Sequence, residues 1–126
     1  MASIIRSAIH EYFPDKDVRL IAEPGRFFVE RPCTLVANVV ARKAVVTKNS
    51  DDTSTTHMHY YINDGVFGSF ICCAYEHEPM CGRPLFNKKG ESFPSTIWGP
   101  TCDSTDRIET NKMMRALDAG EWLIYE

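Results

Sequence analysis

Cys33–Thr47 has the sequence CTLVANVVARKAVVT, and its five valines predict a long β-strand because β-branched side chains favour extended backbone. A second strand is predicted at His57–Asn63, with shorter ones at Ser95–Trp98 and Glu121–Tyr125. Between the first two strands, Lys48–Thr56 (KNSDDTSTT) has no hydrophobic anchor and is predicted to be a solvated loop. The chain from Cys33 onward is therefore expected to be mainly β.

The N-terminal part has a different pattern. Residues 2–13 place apolar side chains at helical spacing, and Pro14 ends the predicted helix. Val18–Ala22 is predicted to be a short strand, and a helix followed by a strand is typical of α/β units. One such strand alone leaves its backbone groups unpaired, and the sequence stops at Tyr125-Glu126 inside a strand pattern. We therefore expect a piece of a longer protein.

The length of 126 residues and the 44% of hydrophobic residues are ordinary for one globular domain. The formal net charge of −3 argues against a protein that grips nucleic acid phosphates. Thr34–Ala41, one of the longest apolar runs, is far shorter than the ~20 residues of a membrane-spanning helix. Ser3, Arg6 and Ser7 interrupt the apolar core that a signal peptide needs. We therefore expect neither nucleic acid nor a membrane as a partner.

Five cysteines, at positions 33, 72, 73, 81 and 102, form no CxxC pair, and an odd number leaves one thiol outside any disulfide framework. A reducing compartment, the cytoplasm, is therefore the expected location. His57 and His59 would share one face of a strand, but nothing else completes a set of zinc ligands. We therefore predict no bound metal.

The tetrapeptide Glu23-Pro24-Gly25-Arg26 follows the predicted strand Val18–Ala22 directly. In α/β barrels the loops after the strands build the active site, often around a phosphate. Gly25 lets a backbone N–H approach a phosphate oxygen, Arg26 supplies a forked cation, and Glu23 places a carboxylate at the strand tip. A Pro-Gly turn flanked by charges is the alternative interpretation.

A second candidate segment is Trp98–Arg107, with the sequence WGPTCDSTDR. Cys102 follows a Gly-Pro break, on a loop where a thiol could act as a nucleophile or transfer a proton. Neighbouring carboxylates, Asp103 among them, disfavour a permanent thiolate and favour a proton donor, and the alternative is an inert loop thiol. Tyr75 and Glu76 place a ring beside a carboxylate, which could cradle a small cation or be an exposed helix end.

Four segments, in this order and at these separations, resemble the C-terminal part of the eukaryotic ornithine decarboxylase family: IAEPGRFFV, YYINDGVFGSF, STIWGPTCDSTDR and GEWLIYE. Members of that family are pyridoxal-phosphate decarboxylases of the alanine-racemase-like barrel group. The resemblance covers essentially all 126 residues, including the polar loop. It implies a fold of class α+β, mainly β. Residues 1–32 would be the terminal helix and strand of a TIM-type α/β barrel that binds the cofactor, and residues 33–126 an incomplete C-terminal β-sandwich or Greek-key β-barrel domain.

The resemblance also implies roles for single residues. Glu23 would pair with the pyridine nitrogen of pyridoxal phosphate and keep it protonated, which makes the ring a better electron sink. Gly25 and Arg26 resemble the residues that bind the cofactor phosphate. Cys102 matches the catalytic cysteine, which delivers a proton to the carbanion left after carbon dioxide departs. Asp103 matches a residue that holds the distal amine of the substrate.

The reaction so implied is the decarboxylation of L-ornithine to putrescine, a step of polyamine biosynthesis. Glu76 stands where the family usually has an Asp that contacts the distal amine, and Tyr75 precedes it as a further substrate-binding residue. The extra methylene moves the carboxylate by roughly an ångström, which alters preference or rate. In the family the site is shared across a two-fold homodimer, and antizyme is the regulatory partner that the resemblance suggests.

Three further departures from the family concern activity. None of the lysines matches the Schiff-base lysine, which in the family lies upstream of everything in this sequence. Phe67 stands where Tyr is usual and lacks its hydroxyl. A tyrosine that binds the cofactor phosphate in the family would fall just past Glu126. We therefore expect the chain by itself to have no decarboxylase activity.

Three other functions compete with this one. The first is a non-catalytic paralogue like the antizyme inhibitors, which bind a regulatory partner and tend to lose the cysteine segment that is intact here at Gly99–Asp103. The second is a decarboxylase of another basic amino acid such as lysine, for which Glu76 is the sequence support. The third is a β-rich binding domain with coincidental motifs.

Overall fold

The computed structural model describes residues 1–29, 32–75 and 80–126 of the chain. The chain divides into two compact units, Met1–Glu30 and Arg31–Glu126. Within the described residues, no helix is long and apolar enough to cross a bilayer.

The first unit contains helix α1 (Ala2–Tyr12) and a 3₁₀ turn (Gly25–Phe28). The helix confirms the prediction, and it ends near Pro14, which has no N–H to continue the hydrogen-bond ladder. The predicted strand at Val18–Ala22 is wrong, because these residues have no strand partner among the described ones and their backbone forms no ladder. No residue of α1 is buried, and apolar side chains such as Ile21 are exposed.

The second unit is one six-stranded sheet with the strand order β3-β6-β1-β2-β4-β5. In chain order the strands are β1 (Leu35–Lys48), β2 (Ser54–Ile62), β3 (Arg83–Pro84), β4 (Ser92–Trp98), β5 (Arg107–Arg115) and β6 (Trp122–Tyr125). A short helix, α2 (Cys72–Tyr75), lies in the connection from β2 to β3. Strands β2 and β4 run parallel, and the other neighbouring pairs run antiparallel. The predicted mainly β fold is confirmed.

Strand β1 lies between β6 and β2 in the sheet and is long enough to pair with each of them over a different part of its length. Leu35–Asn38 pairs with β6, and the remainder pairs with β2 after a register shift between Val39 and Ala41. A bulge bends its strand and increases the local twist, so it curls the sheet toward a barrel.

Side-chain hydrogen bonds join the two edge strands of this nearly closed barrel. Gly82, beside β3, donates its N–H to Glu109 Oε1 at 3.0 Å, and its carbonyl accepts a hydrogen bond from Lys112. Arg115 donates to the Phe86 carbonyl at 3.0 Å. Glu109 and Arg115 both belong to β5, so this strand is held to the β3 side of the barrel without a β3–β5 ladder among the described residues.

The core follows the two-residue period of the strands. In β2, Met58, Tyr60 and Ile62 are buried, whereas His57 and His59 alternate with them and are only half-buried. The buried apolar residues of the core are Ala37, Val39, Met58, Tyr60, Ile62, Val66, Phe70, Ile97, Ile108, Met114, Leu117, Leu123 and Tyr125. Both ends of the domain contribute to this core, so the late strands are needed to complete it.

Strand β5 is the element that sequence reasoning missed. Its sequence, RIETNKMMR, buries Ile108, Glu109 and Met114, which are not evenly spaced. Asn111 interrupts the strand with a left-handed φ of 53°. The two-residue alternation that identifies a strand is therefore broken in its middle.

Candidate active site

The turn at Glu23–Arg26 has the backbone geometry of an anion cradle. Pro24 is right-handed helical (φ −68°, ψ −2°), and Gly25 is left-handed with φ +58°. This alternation is typical of a nest, an arrangement of N–H groups that binds anions, and because Pro24 has no N–H the donors here are those of Gly25 and Arg26. The positive φ favours glycine, and no atom lies within 4 Å of where a Gly25 Cβ would stand. No packed atom of the described residues therefore blocks the Gly25 side of this turn.

The side chains of this turn supply the matching charges. Glu23 and Arg26 are exposed on either side of the Pro-Gly pair. The turn is fixed by the Phe27 N–H, which donates to the Pro24 carbonyl at 3.3 Å, and by the Val29 N–H, which donates to the Arg26 carbonyl at 2.9 Å. The chemistry of this donor set fits pyridoxal phosphate: a guanidinium and backbone N–H groups for the phosphate, and a carboxylate for a protonated ring nitrogen.

The second candidate segment forms a closed loop between β4 and β5. The Gly99 N–H donates to the Asp106 carbonyl at 2.8 Å and closes the base of the loop. Within it, the Asp106 N–H donates to the Asp103 carbonyl at 3.0 Å. Cys102 and Asp103 lie at the exposed part of this loop. The thiol and the carboxylate predicted to be functional are thus neighbours on a tied loop and are open to a ligand.

Asp103 is held as a carboxylate. Its Oδ1 accepts hydrogen bonds from the Thr105 hydroxyl at 2.7 Å and from the Thr105 N–H at 2.8 Å. These two bonds, the hydroxyl first, lower the pKa of Asp103. An exposed, fixed anion of this kind suits the ammonium group of a basic substrate.

Asp106 is the residue that organises this region, and sequence reasoning did not assign it that role. Its side chain is 1% exposed. Oδ1 accepts the Val66 N–H at 2.8 Å, while Oδ2 accepts the Thr101 N–H at 3.0 Å and the Thr101 hydroxyl at 2.7 Å. The carboxylate therefore ties the loop after β2 to the loop that carries Cys102.

Two glycines make room for Asp106. A Cβ on Gly65 would come within 2.3 Å of Asp106 Oδ1, and a Cβ on Gly99 within 2.1 Å. Both distances are far shorter than any real carbon–oxygen contact, so glycine is required at both positions. A glycine in each of the two motifs, together with an acidic residue nearby, was the signal in the sequence that could have revealed this arrangement.

Asp64 fixes the loop after β2 in the same manner. It accepts the Gly65 N–H at 2.7 Å and the Ser69 N–H at 3.0 Å. Burial alone would raise the pKa of Asp64, but hydrogen bonds from Ser69 and Gly65 outweigh it and lower the pKa. The Asp-Gly turn after β2 is thus held by its own carboxylate.

The remaining predicted site residues are less informative. Tyr75, at the end of α2, is 79% exposed. Glu76 lies outside the described residues. Phe67, which stands where the family usually has Tyr, is also exposed. In the described part of the chain, no group of three or more His, Cys, Asp and Glu side chains is placed to hold a metal ion.

Residues 27–126 match the family model described as "Pyridoxal-dependent decarboxylase, C-terminal sheet domain". The chain belongs to this family. It is 49% identical over 130 residues to ornithine decarboxylase from Caenorhabditis elegans, with 99% of this chain and 31% of the relative covered. It is 40% identical over 134 residues to antizyme inhibitor 2 from Xenopus laevis, with 100% of this chain and 29% of the relative covered.

Solved structures agree with this assignment. Arginine decarboxylase from Paramecium bursaria Chlorella virus superposes with a TM-score of 0.79 at 29% identity, over 99% of this chain and 32% of the other. Lysine decarboxylase from Selenomonas ruminantium superposes with a TM-score of 0.74 at 27% identity, over 97% and 29%. The chain thus spans about a third of the length of the relatives it matches. The match to the family model begins at residue 27, ahead of Cys33. The predicted domain limits, 1–32 and 33–126, stay a prediction.

Proposed function

We propose that this chain is the C-terminal part of a pyridoxal-phosphate-dependent ornithine decarboxylase, which converts L-ornithine to putrescine and carbon dioxide. The observation that carries the proposal is the loop Gly99–Asp106, which presents Cys102 and Asp103 together to the exterior and is tied down by the buried carboxylate of Asp106. The ornithine decarboxylases among the relatives support the choice of substrate.

Each residue of the proposed site has a chemical task. Asp103, whose carboxylate is fixed by Thr105, binds the distal ammonium of the substrate. Cys102 donates a proton to the carbon that has lost carbon dioxide. Tyr75 and Glu76 contribute to the same substrate pocket.

The cofactor contacts are proposed for the first unit. Gly25 and Arg26 hold the phosphate through the backbone nest and the guanidinium, and Glu23 keeps a proton on the ring nitrogen. Pyridoxal phosphate, when bound, supplies an electron sink for the carbon that loses its carboxylate. No lysine of this chain is proposed for the covalent link to the cofactor. The chain alone is therefore expected to form no putrescine.

Three finer statements belong to the same proposal. The active protein is a homodimer that shares its active sites between subunits. It works in the cytoplasm. Antizyme is a regulatory partner, and this is supported by the similarity to antizyme inhibitor 2.

Two other functions are supported by specific relatives. Lysine and arginine decarboxylases are among the solved structures that superpose on the chain, so another basic amino acid is the second candidate substrate. The antizyme inhibitor relative supports a non-catalytic binding protein. The intact Cys102–Asp103 pair favours the enzyme, because a pure binding protein has no use for a proton-donating thiol.

A substrate panel separates these candidates. The protein at its natural length is incubated with pyridoxal phosphate and either ornithine, lysine or arginine, and the diamine or agmatine product is quantified. The proposal predicts that kcat/KM for ornithine exceeds the other two, and that Asp103→Asn raises the KM for ornithine. A higher kcat/KM for lysine or arginine would identify a decarboxylase of another basic amino acid. If none of the three amino acids gives product and the protein binds antizyme, the protein is a non-catalytic binding protein.

A further inference from the structure

A cleft of about 460 Å³ lies on the face of the sheet that points away from the core. We call it the histidine cleft; it is lined chiefly by His57 and His59 of β2, Trp98 of β4 and Arg107 of β5. The alternation of the strands places these side chains there, since their neighbours Met58 and Ile97 fill the core. Three strands thus contribute basic or aromatic groups to one surface.

The aromatic groups of the histidine cleft form a continuous row. The rings of His57 and His59 have centroids 5.0 Å apart, and the ring of His59 is stacked on Trp98 at 6.0 Å with an angle of 21° between the planes. The Arg107 guanidinium lies over Trp98, 5.8 Å from the ring centroid. Stacking fixes the position of the guanidinium while leaving its N–H groups available at the edge of its plane.

A hydrogen bond from Trp98 fixes His59 as a donor, and a hydrogen bond to Thr96 holds the ring of His57 in place. Trp98 Nε1 donates to His59 Nδ1 at 2.9 Å. Because an indole only donates, Nδ1 of His59 is unprotonated and the neutral ring carries its proton on Nε2. His57 Nε2 is hydrogen-bonded to the Thr96 hydroxyl at 2.8 Å. The other nitrogen of each ring has no protein partner among the described residues.

The charge of the histidine cleft is unbalanced. No carboxylate lines it, and Arg107 has no ion-pair partner in the described part of the chain. Its other polar groups are the hydroxyls of Thr47 and Thr110 and the amide of Asn111, all of which can donate. In a protein of net charge −3, a donor-rich surface without any acid is a local exception that favours an anion.

A second, larger cleft of about 670 Å³ provides the contrast. It is lined by more cations than the histidine cleft, but most of them are already neutralised by carboxylates of the same chain. These ion pairs are Arg83–Glu126, Lys88–Glu121, Lys112–Glu109 and Arg115–Glu121. Unpaired donors, rather than the number of basic residues, therefore distinguish the histidine cleft.

We propose that the histidine cleft is a binding site for a phosphate-type oxyanion, held by Arg107 and the two histidines. A tetrahedral anion directs its oxygens to several sides at once, so it can accept hydrogen bonds from side chains of β2 and of β5 together. A planar carboxylate offers two oxygens in one plane and satisfies one side of the cleft. The permanent positive charge of Arg107 attracts the anion, and hydrogen bonds from the imidazoles set its position in the cleft.

The test uses the 126-residue chain and inorganic phosphate, with sodium chloride exchanged for phosphate at constant ionic strength. The indole N–H signal of Trp98 is followed by NMR, and that of Trp122 serves as the internal control. A saturable shift confined to Trp98 is expected. Arg107→Gln weakens the binding by about tenfold or more, since a hydrogen bond to a charged group is lost.

Two further variants keep the test decisive if Arg107→Gln disturbs the stack. His57→Gln retains a hydrogen-bonding partner for Thr96 and weakens phosphate binding about threefold. Lys89→Gln removes a cation from the other cleft and leaves the binding unchanged. Three results would each overturn the proposal: no saturable shift, equal affinity for acetate and phosphate, or full affinity in both the Arg107 and the His57 variant.

Discussion

Asp106 Oδ1 accepts the N–H of Val66 at 2.8 Å, although the two residues are 40 positions apart in the chain. This bond joins the Asp-Gly loop after β2 to the loop that carries Cys102. Both motifs were recognised separately in the sequence, and the buried carboxylate is what makes them one structure.

Replacing Asp106 by Asn is expected to destabilise the chain by about 1–3 kcal/mol. An amide has one accepting oxygen, so in either orientation its NH₂ group faces a donor that the carboxylate now satisfies. Urea unfolding of the chain measures the effect. Asp118→Asn is the matched control, because Asp118 is exposed and its ion pair with Arg42 is of the weak surface type. Equal unfolding midpoints for the two variants would contradict this role of Asp106.

Gly99→Ala is expected to cost about 1–3 kcal/mol or more, since the new Cβ would stand 2.1 Å from Asp106 Oδ1 and one of the two must move. Gly90→Ala is the control. There the Cβ would lie 3.7 Å from the Arg115 side chain, an ordinary contact, and the lost freedom of the unfolded chain makes the change neutral or stabilising. Thermal unfolding distinguishes them, and a Gly99 variant as stable as the Gly90 variant would refute the close packing.

The ionisation of Glu121 is expected to make the folded chain less stable in acid. Hydrogen bonds from Arg115, and further bonds from the Asp118 N–H and Lys88, outweigh its burial and lower its pKa from 4.5 to about 2. The folded form therefore binds this proton less readily than the unfolded form, and the stability present above pH 4.5 is lost as the pH falls toward 2. Glu121→Gln should flatten this part of the stability–pH curve, whereas Glu91→Gln, at an exposed position, should not. An unchanged slope in the Glu121 variant would count against it.

The ionisation of His59 is expected to make the stability of the folded chain depend on pH near neutrality as well. Burial, then the charges of His57 and Lys43, lower its pKa. The unfolded chain thus takes up this proton first, and stability decreases as the pH falls below 6.5. Protonation also breaks the bond from Trp98. The Trp98 indole N–H signal should report a midpoint below 6.5 that vanishes in His59→Gln but not in His10→Gln; a midpoint above 6.5 would be incompatible with this burial.

Local sequence information was enough for most of the strands and not enough for the contacts between loops. The valine-rich stretch in β1 and the Pro14 stop of α1 act through their own backbone preferences, so their pattern is visible in the sequence. The strand at Val18–Ala22 failed because strand formation needs a neighbour. The role of Asp106 in joining two loops was not predictable from composition, because the two segments meet only in the folded chain.

Putrescine formation by the protein at its natural length, with and without Cys102, is the direct test of the proposed decarboxylase. With pyridoxal phosphate and ornithine, the wild-type protein should form putrescine, and Cys102→Ala should lower kcat by about 10²-fold or more, as loss of a proton donor does. Cys81→Ala, at another exposed thiol, should leave kcat unchanged. Putrescine formation at the wild-type rate by the Cys102 variant, or none by the wild-type protein, would contradict the account.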